Sequence, residues 1–250
     1  RLGGKALDQE GYDMLGLICG SEGLLGVITE VTVKILKKPQ TVKAALIGFP
    51  THEDGGNCVS EIIANGIVPA GMEIMDKALI EATDNFSKAG YPRDVELLLI
   101  VELDGTVSEV DELINKVSEI SKKNNSSTIK ISKNEKERLS FWIGRKAAFP
   151  ACGAMAPDYY CMDGSIPRGK LAEALKEINK LSKKYNLSVA NCFHAGDGNL
   201  HPLIMFDGSK KDELRKTEEF GSEILKMCVK FGGVLTGEHG VGIEKRELMC

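Results

Sequence analysis

No stretch of this chain approaches the roughly 18 consecutive apolar residues that a membrane-spanning helix needs, and no signal peptide is visible. Cys-x-x-Cys is absent as well. The seven cysteines are an odd number at irregular spacing, so they read as reduced, mostly buried thiols, with the cytoplasm as the default location. Basic patches are missing: no run exceeds Lys183-Lys184 or Lys210-Lys211, no aromatics are interleaved with them, and the net charge is −4. That excludes nucleic acid as an expected partner. Low-complexity sequence is lacking, and KKNNSS at 122–127 reads as a solvated loop. Histidine is scarce at four residues, so where each one stands is informative.

What is present suffices for a sizeable core. The chain has 250 residues, 42% hydrophobic and 27% charged, enough for one large or two small domains. It opens on Arg1 and closes on Glu247-Leu248-Met249-Cys250 inside what reads as a helix, so a fragment of a longer protein is expected. The run 27–36 (VITEVTVKIL) alternates in period two and predicts a strand, closed by Lys37-Lys38-Pro39. Strands are predicted at 42–49, 71–75, 95–103 and 128–131, and helices at 53–65, 77–89, 107–123 and 136–148. Thr51 and Asn134 stand where N-caps belong. The last third reads strand 159–163, helix 167–185, strands 187–194 and 200–206, helix 211–231 and strand 234–236. This β-α-β-β-α-β order predicts a ferredoxin-like α+β domain, its largely antiparallel sheet covered by helices on one face.

Three segments carry candidate chemistry. In CFHAGDGNLH, Asp197-Gly198 is a strong hairpin signal, because a two-residue primed turn needs positive φ at both central positions. Such a turn would set His194 directly opposite His201 on one face, about 4.5–5.5 Å apart at Cβ, which suits two imidazoles gripping one ion. A pair of hydrogen-bonded surface histidines is the alternative. In TGEHGVG, Glu238 and His239 are adjacent between glycines. In extended backbone their side chains diverge, so if Glu238 turns to an ion His239 turns elsewhere, toward a substrate. Two imidazoles and a carboxylate leave open positions on a Lewis-acid ion. A glycine-rich loop with a hydrogen-bonded histidine is again the alternative. The third segment, GSEGLLG, is suited to close backbone approach.

GSEGLLGVITEVTVKILKKP, HAGDGNLH and GEHGVG, in this order, resemble the FAD-linked oxidases of the vanillyl-alcohol oxidase superfamily. The likeness is to the branch of glycolate oxidase, D-lactate dehydrogenase and D-2-hydroxyglutarate dehydrogenase. It implies that residues 1–38 are the tail of an α+β FAD-binding domain, 39–243 the cap over the flavin and substrate, and 244–250 the start of a return segment. It implies that Gly20, Ser21, Glu22, Gly23, Gly26, Val27 and Ile28 lie along the flavin, with Asn199 counted among the cofactor-binding residues. His194, His201 and Glu238 are implied ligands of a divalent metal (zinc, iron or manganese), and His239 the base. Arg145 is the implied partner of the substrate carboxylate, the alternative being an ordinary exposed helix arginine. Cys161 stands where the D-2-hydroxyglutarate enzymes carry a lysine for the distal carboxylate, which points to a small monocarboxylate such as D-lactate or glycolate.

The activity implied is oxidation of a small D-2-hydroxy acid to the 2-oxo acid, with metal-assisted hydride transfer to FAD. Electrons then pass to an acceptor such as an electron-transfer flavoprotein or an iron–sulfur subunit, and a homodimer is compatible with this reading. The competing reading is a metal-dependent hydrolase or ligand-binding module using the same residues without redox. GSEGLLGVIT discriminates against it, since a hydrolase has no use for a flavin-facing glycine segment.

Overall fold

The structure is a computed structural model and describes residues 1–4 and 11–249. Residues 5–10, part of the expected 1–38 segment, and Cys250, the last residue of the expected 244–250 segment, lie outside the described residues. After a short helix α1 (Met14–Ile18) come β1 (Thr41–Phe49), α2 (His52–Ala64), β2 (Gly71–Asp76), α3 (Lys77–Ser87), β3 (Leu97–Gly105), α4 (Val107–Lys123) and β4 (Thr128–Ile131). Helices α5 (Glu135–Lys146) and α6 (Ala148–Cys152) lead to β5 (Asp158–Cys161) and β6 (Gly164–Ser165). The chain closes with α7 (Leu171–Tyr185), β7 (Val189–His194), β8 (Asn199–Phe206) and α8 (Lys211–Lys230). The terminal segment read as helical holds a single 3-10 turn, Arg246–Leu248.

Helix starts follow from their caps. The Asp54 amide donates to Thr51 Oγ1 and the Glu137 amide to Asn134 Oδ1, both at 3.0 Å, as the sequence predicts. Asp76 does the same for α3, accepting from Leu79 at 3.0 Å. Each such cap stabilises its helix by about 1 kcal/mol.

Every strand pair is antiparallel, and the eight strands form one sheet in the order β4-β1-β3-β2-β7-β8-β5, with β6 beside β8. The expected ferredoxin-like unit occurs twice. The first half, β1-α2-β2-β3-α4-β4 with α3 inserted, takes the order 4-1-3-2. The second half, β5-α7-β7-β8-α8, repeats it, but the strand predicted at 234–236 is reduced to one bridge, Ser165 to Val234. The halves meet edge to edge through three residue pairs of β2 and β7, Glu73 with His194, Ile74 with Phe193 and Met75 with Cys192.

Helices α2, α4, α7 and α8 cover one face over a core that includes Ile47, Leu97, Leu99, Leu175, Phe193 and Ile224. Burying each such side chain stabilises the fold by about 1.5–3 kcal/mol. The α+β class and the antiparallel sheet are as expected, but the second face also has a layer. Leu79, Ile80, Phe141 and Cys152 of α3, α5 and α6 pack there on Leu46, Leu98, Ile100 and Cys192. Over the hairpin end of β7 and β8 it is the loop after α8 that folds across.

The strand predicted at 27–36 does not form. Residues 26–39 have no strand partner among the described residues, and a period-two pattern without a neighbouring edge has no ladder to join. Its apolar residues stay in the open: Val33, the least exposed of Val27, Val31, Val33 and Ile35, is 70% accessible.

Candidate functional site

The β7–β8 hairpin differs in register from the sequence expectation by two residues. His201 pairs with Cys192 and His194 pairs with Asn199, so Ala195-Gly196-Asp197-Gly198 form a four-residue connection. Gly198 has φ +77, but Asp197 is not among the positive-φ residues, so the primed two-residue turn is not made. The amides of Asp197 and Gly198 both donate to His194 O at 3.0 Å instead. A shift of two preserves the strand's facing. His194 and His201 therefore still share a face, as diagonal neighbours with ring centroids 5.0 Å apart.

Both rings are fixed by their Nδ1 atoms. His201 Nδ1 lies 3.1 Å from Met162 O, and a carbonyl can only accept, so this nitrogen carries the proton. His194 Nδ1 lies 2.7 Å from Glu73 Oε1 and is protonated for the same reason. Each ring thus aims its other nitrogen, Nε2, at Glu238 Oε1, at 2.9 Å from His201 and 3.5 Å from His194. Burial holds the His201 pKa below the ordinary imidazole value, so at neutral pH a lone pair on Nε2 faces a carboxylate with no proton between them. Acceptors converging in this way match the donor set of a divalent cation. The hydrogen bond to Glu73 raises the His194 pKa.

Glu73, in the middle of β2, belongs to none of the sequence motifs, yet it joins the site's two halves. Its Oε1 takes His194, and its Oε2 takes Arg145 Nε at 3.0 Å and Nη2 at 2.9 Å. The available signal was a glutamate flanked by apolar residues within GMEIMD. Arg145 is brought beside the histidines through Glu73; a guanidinium has five N–H donors, and these contacts use two of them. Its helix α5 is fastened one and two turns earlier, where Glu102 accepts from Trp142 at 2.7 Å and from Arg138 at 2.6 Å.

The Glu238–His239 loop is built on a second residue missed in the sequence, Asp163, whose side chain is fully buried. It accepts from Thr236 Oγ1 at 2.7 Å, from the amides of Gly237, Glu238 and His239 at 2.9–3.1 Å, and from Lys245 Nζ at 3.0 Å. Burial alone would raise its pKa, but these donors outweigh it and hold the carboxyl far below the usual range. One ligand-type atom each of Asp163, His201, Glu238 and His239 lies within 4.8 Å of the others. Asp163 is already saturated by loop donors, which makes it the loop's anchor; His201, Glu238 and His239 remain of this group, and His194 Nε2 reaches the same Glu238 oxygen at 3.5 Å. The divergence expected of Glu238 and His239 is not seen: the loop turns here, His239 Nε2 lies 3.9 Å from Glu238 Oε1, and its exposed ring stacks on His201 at 5.2 Å.

The remaining candidates fall in two places. Asn199 is buried under the loop, its Oδ1 without a hydrogen-bond partner and its amide packed against Gly237, where any Cβ would collide with it. Gly20, Glu22, Gly23, Gly26, Val27 and Ile28 form an exposed segment with Ser21 half-buried. Gly20 and Gly23 have φ of +80 and +78, and a Cβ on either would meet nothing within 4 Å. Tyr160 of β5 packs on Gly221 of α8. Cys161 lies half-buried beside His201, its Sγ 3.9 Å from Nδ1, with the thiol pushed by burial up to about 12.

Residues 38–250 match the family described as FAD linked oxidases, C-terminal domain. The chain is 51% identical over its full length to glycolate oxidase subunit GlcD of Escherichia coli K12, covering 50% of that protein. It is 36% identical to the Bacillus subtilis GlcD over 97% of the chain and 52% of that protein. It is 34% identical to the mitochondrial D-lactate dehydrogenase [cytochrome] of Arabidopsis thaliana, over 96% of the chain and 42% of that protein. The chain therefore spans about half the length of the curated relatives it matches. Among solved structures, an alkyldihydroxyacetonephosphate synthase superimposes with a TM-score of 0.65 at 16% identity, over 97% of this chain and 49% of that one. A p-cresol methylhydroxylase superimposes with 0.59 at 15% identity, over 80% and 46%. At these identities the likeness is one of fold.

Proposed function

The chain belongs to the FAD-linked oxidases, in the part described by their C-terminal domain, and from that membership we propose that it covers the flavin and binds substrate in a 2-hydroxy-acid dehydrogenase. The substrate of this reading is a small D-2-hydroxy acid, D-lactate or glycolate, oxidised to the 2-oxo acid. The names of the relatives support the class, and Cys161, half-buried beside His201 where a lysine would serve a distal carboxylate, supports a short, monocarboxylic substrate. Residues 39–243 are the cap of this reading, 1–38 the end of the flavin-binding part and 244–250 the start of a return to it. Electrons leave to a separate acceptor, an electron-transfer flavoprotein or iron–sulfur subunit.

The carrying observation is the convergence of the Nε2 atoms of His194 and His201 on one Glu238 oxygen. His194, His201 and Glu238 would hold a divalent cation. When bound, the cation supplies Lewis acidity at the substrate's hydroxyl and carboxylate oxygens, and FAD supplies the hydride acceptor. His239, exposed and stacked on the ligand ring of His201, takes the hydroxyl proton at a ring nitrogen. Arg145, steadied by Glu73, offers its remaining N–H donors to the substrate carboxylate. The backbone of 20–28, opened by Gly20 and Gly23, offers one side of a flavin contact.

Metal analysis of the holoenzyme, with a screen of glycolate, D-lactate and D-2-hydroxyglutarate, tests this reading. His194→Ala should lower metal occupancy. His239→Asn should keep the metal and much of the substrate affinity, while flavin reduction slows by about 10²–10⁴-fold. Metal-free enzyme of full activity would refute the cation, and flavin left oxidised by glycolate and D-lactate alike would refute the substrate class.

A further inference from the structure

The loop that carries Glu238 and His239 is held by two carboxylates from distant parts of the chain. Asp163 takes the amides of Gly237, Glu238 and His239 at its start. At its end Glu22 takes two more amides, Val241 N–H to Oε1 at 2.6 Å and Gly242 N–H to Oε2 at 2.8 Å. Successive amides turned toward one anion form a nest, and here the anion is a side chain of the same protein. Gly240, at φ +86, makes the approach possible, because a Cβ there would sit 3.0 Å from the Glu22 carboxyl carbon. Glu22 itself holds φ +52, a conformation unfavourable for a residue with a side chain. Backbone of that kind persists where its surroundings over-determine it, and here the surroundings are the two loop amides. They also draw the Glu22 pKa below the usual carboxylate value.

We propose that Glu22 is a positioning residue that ties the Glu238–His239 loop to segment 20–28, so that the setting of this segment fixes where the ligand and the base stand. Both Glu22 oxygens are committed to loop amides, so its part is to orient the loop rather than to touch flavin. The link to turnover rests on the roles proposed above for Glu238 and His239; the latch itself does not.

Glu22→Gln replaces one acceptor with an N–H donor facing an amide N–H, and Glu22→Ala removes both acceptors. Hydrogen exchange on the parent and variant chains reads the latch without any cofactor. Exchange should accelerate at Val241 and Gly242 by about tenfold or more, and also at Glu238 and His239, whose amides stay bonded to Asp163. In the FAD-loaded enzyme kcat should fall about 10–100-fold, the range for partners that orient a metal site, with KM and flavin content kept. Unchanged exchange at 238–242, or faster exchange confined to 241–242, overturns the proposal. So does loss of flavin from the variants, which would make Glu22 a cofactor contact. If the parent enzyme holds no metal or oxidises none of the acids, the proposed function falls, while exchange at Glu238 and His239 still decides the latch.

Discussion

Replacing Glu73 with glutamine should separate the two partners that this residue serves. The side chain keeps its shape, but one carboxylate oxygen becomes an NH2 group. If the remaining oxygen stays on His194, the NH2 faces Arg145, donor against donor. The guanidinium, like Glu73 itself only 12% exposed, then loses its ion-pair partner. Breaking a buried pair costs about 3–5 kcal/mol, and the residual exposure here puts the expectation near 3 kcal/mol. Against a total stability of about 5–15 kcal/mol, that moves the urea midpoint clearly at constant m-value. Part of the loss depends on pH. Glu73 raises the His194 pKa in the folded protein, so its bond to His194 contributes fully below the unfolded value of about 6.5 and fades as pH rises through the folded one. The stability gap between parent and Glu73→Gln should thus be widest in acid and narrow toward pH 8, leaving the Arg145 contribution. NMR titration of the metal-free variant should find a lower His194 pKa. A gap that ignores pH, with His194 titrating as before, would refute the coupling, and no gap at all would refute the network.

Asp163→Asn should destabilise the fold by about 3–5 kcal/mol, since it leaves the buried Lys245 ammonium without its partner, and urea unfolding measures this. In the last turn of α3, Asp84 accepts from Arg93 and from the amides of Gly90 and Tyr91, which overcome its burial and lower its pKa. A depressed carboxyl contributes stability above its unfolded value of about 3.9 and loses it as pH falls further. Asp84→Asn should therefore be less stable at neutral pH but flatter in acid; equal acid sensitivity of the two proteins would contradict this.

Short-range signals in the sequence were dependable where physics is local. Thr51 and Asn134 cap the helices they precede, and the elements predicted between 41 and 231 form within a few residues of their bounds, with α6 and β6 added to them. The hairpin went astray because Asp-Gly marks a turn without counting its residues, yet facing survived, since an even slip restores parity. The run at 27–36 reveals which residues share a face but not whether an edge exists to receive them. Glu73 and Asp163 were illegible for a different cause. Each matters through partners distant in sequence, Arg145 for one and Lys245 for the other, and no spacing encodes such a meeting. The ferredoxin-like order of the last third was readable, whereas its earlier copy was obscured by the inserted α3.

The seam of β2 with β7 divides labour as well as structure. Glu73 and Arg145 come from the stretch before residue 153, and Asp163, His194, His201, Glu238 and His239 from the stretch after 157. A nick in 153–157 would leave each ferredoxin-like unit covalently whole while parting charge support from ligands. The pieces could recover the site only by docking β2 on β7 and α2 on α7 again, along a seam in which Glu73 pairs with His194. Imidazole orientation is in this sense a gauge of assembly, and split-chain complementation would report the meeting of the halves through the chemistry itself.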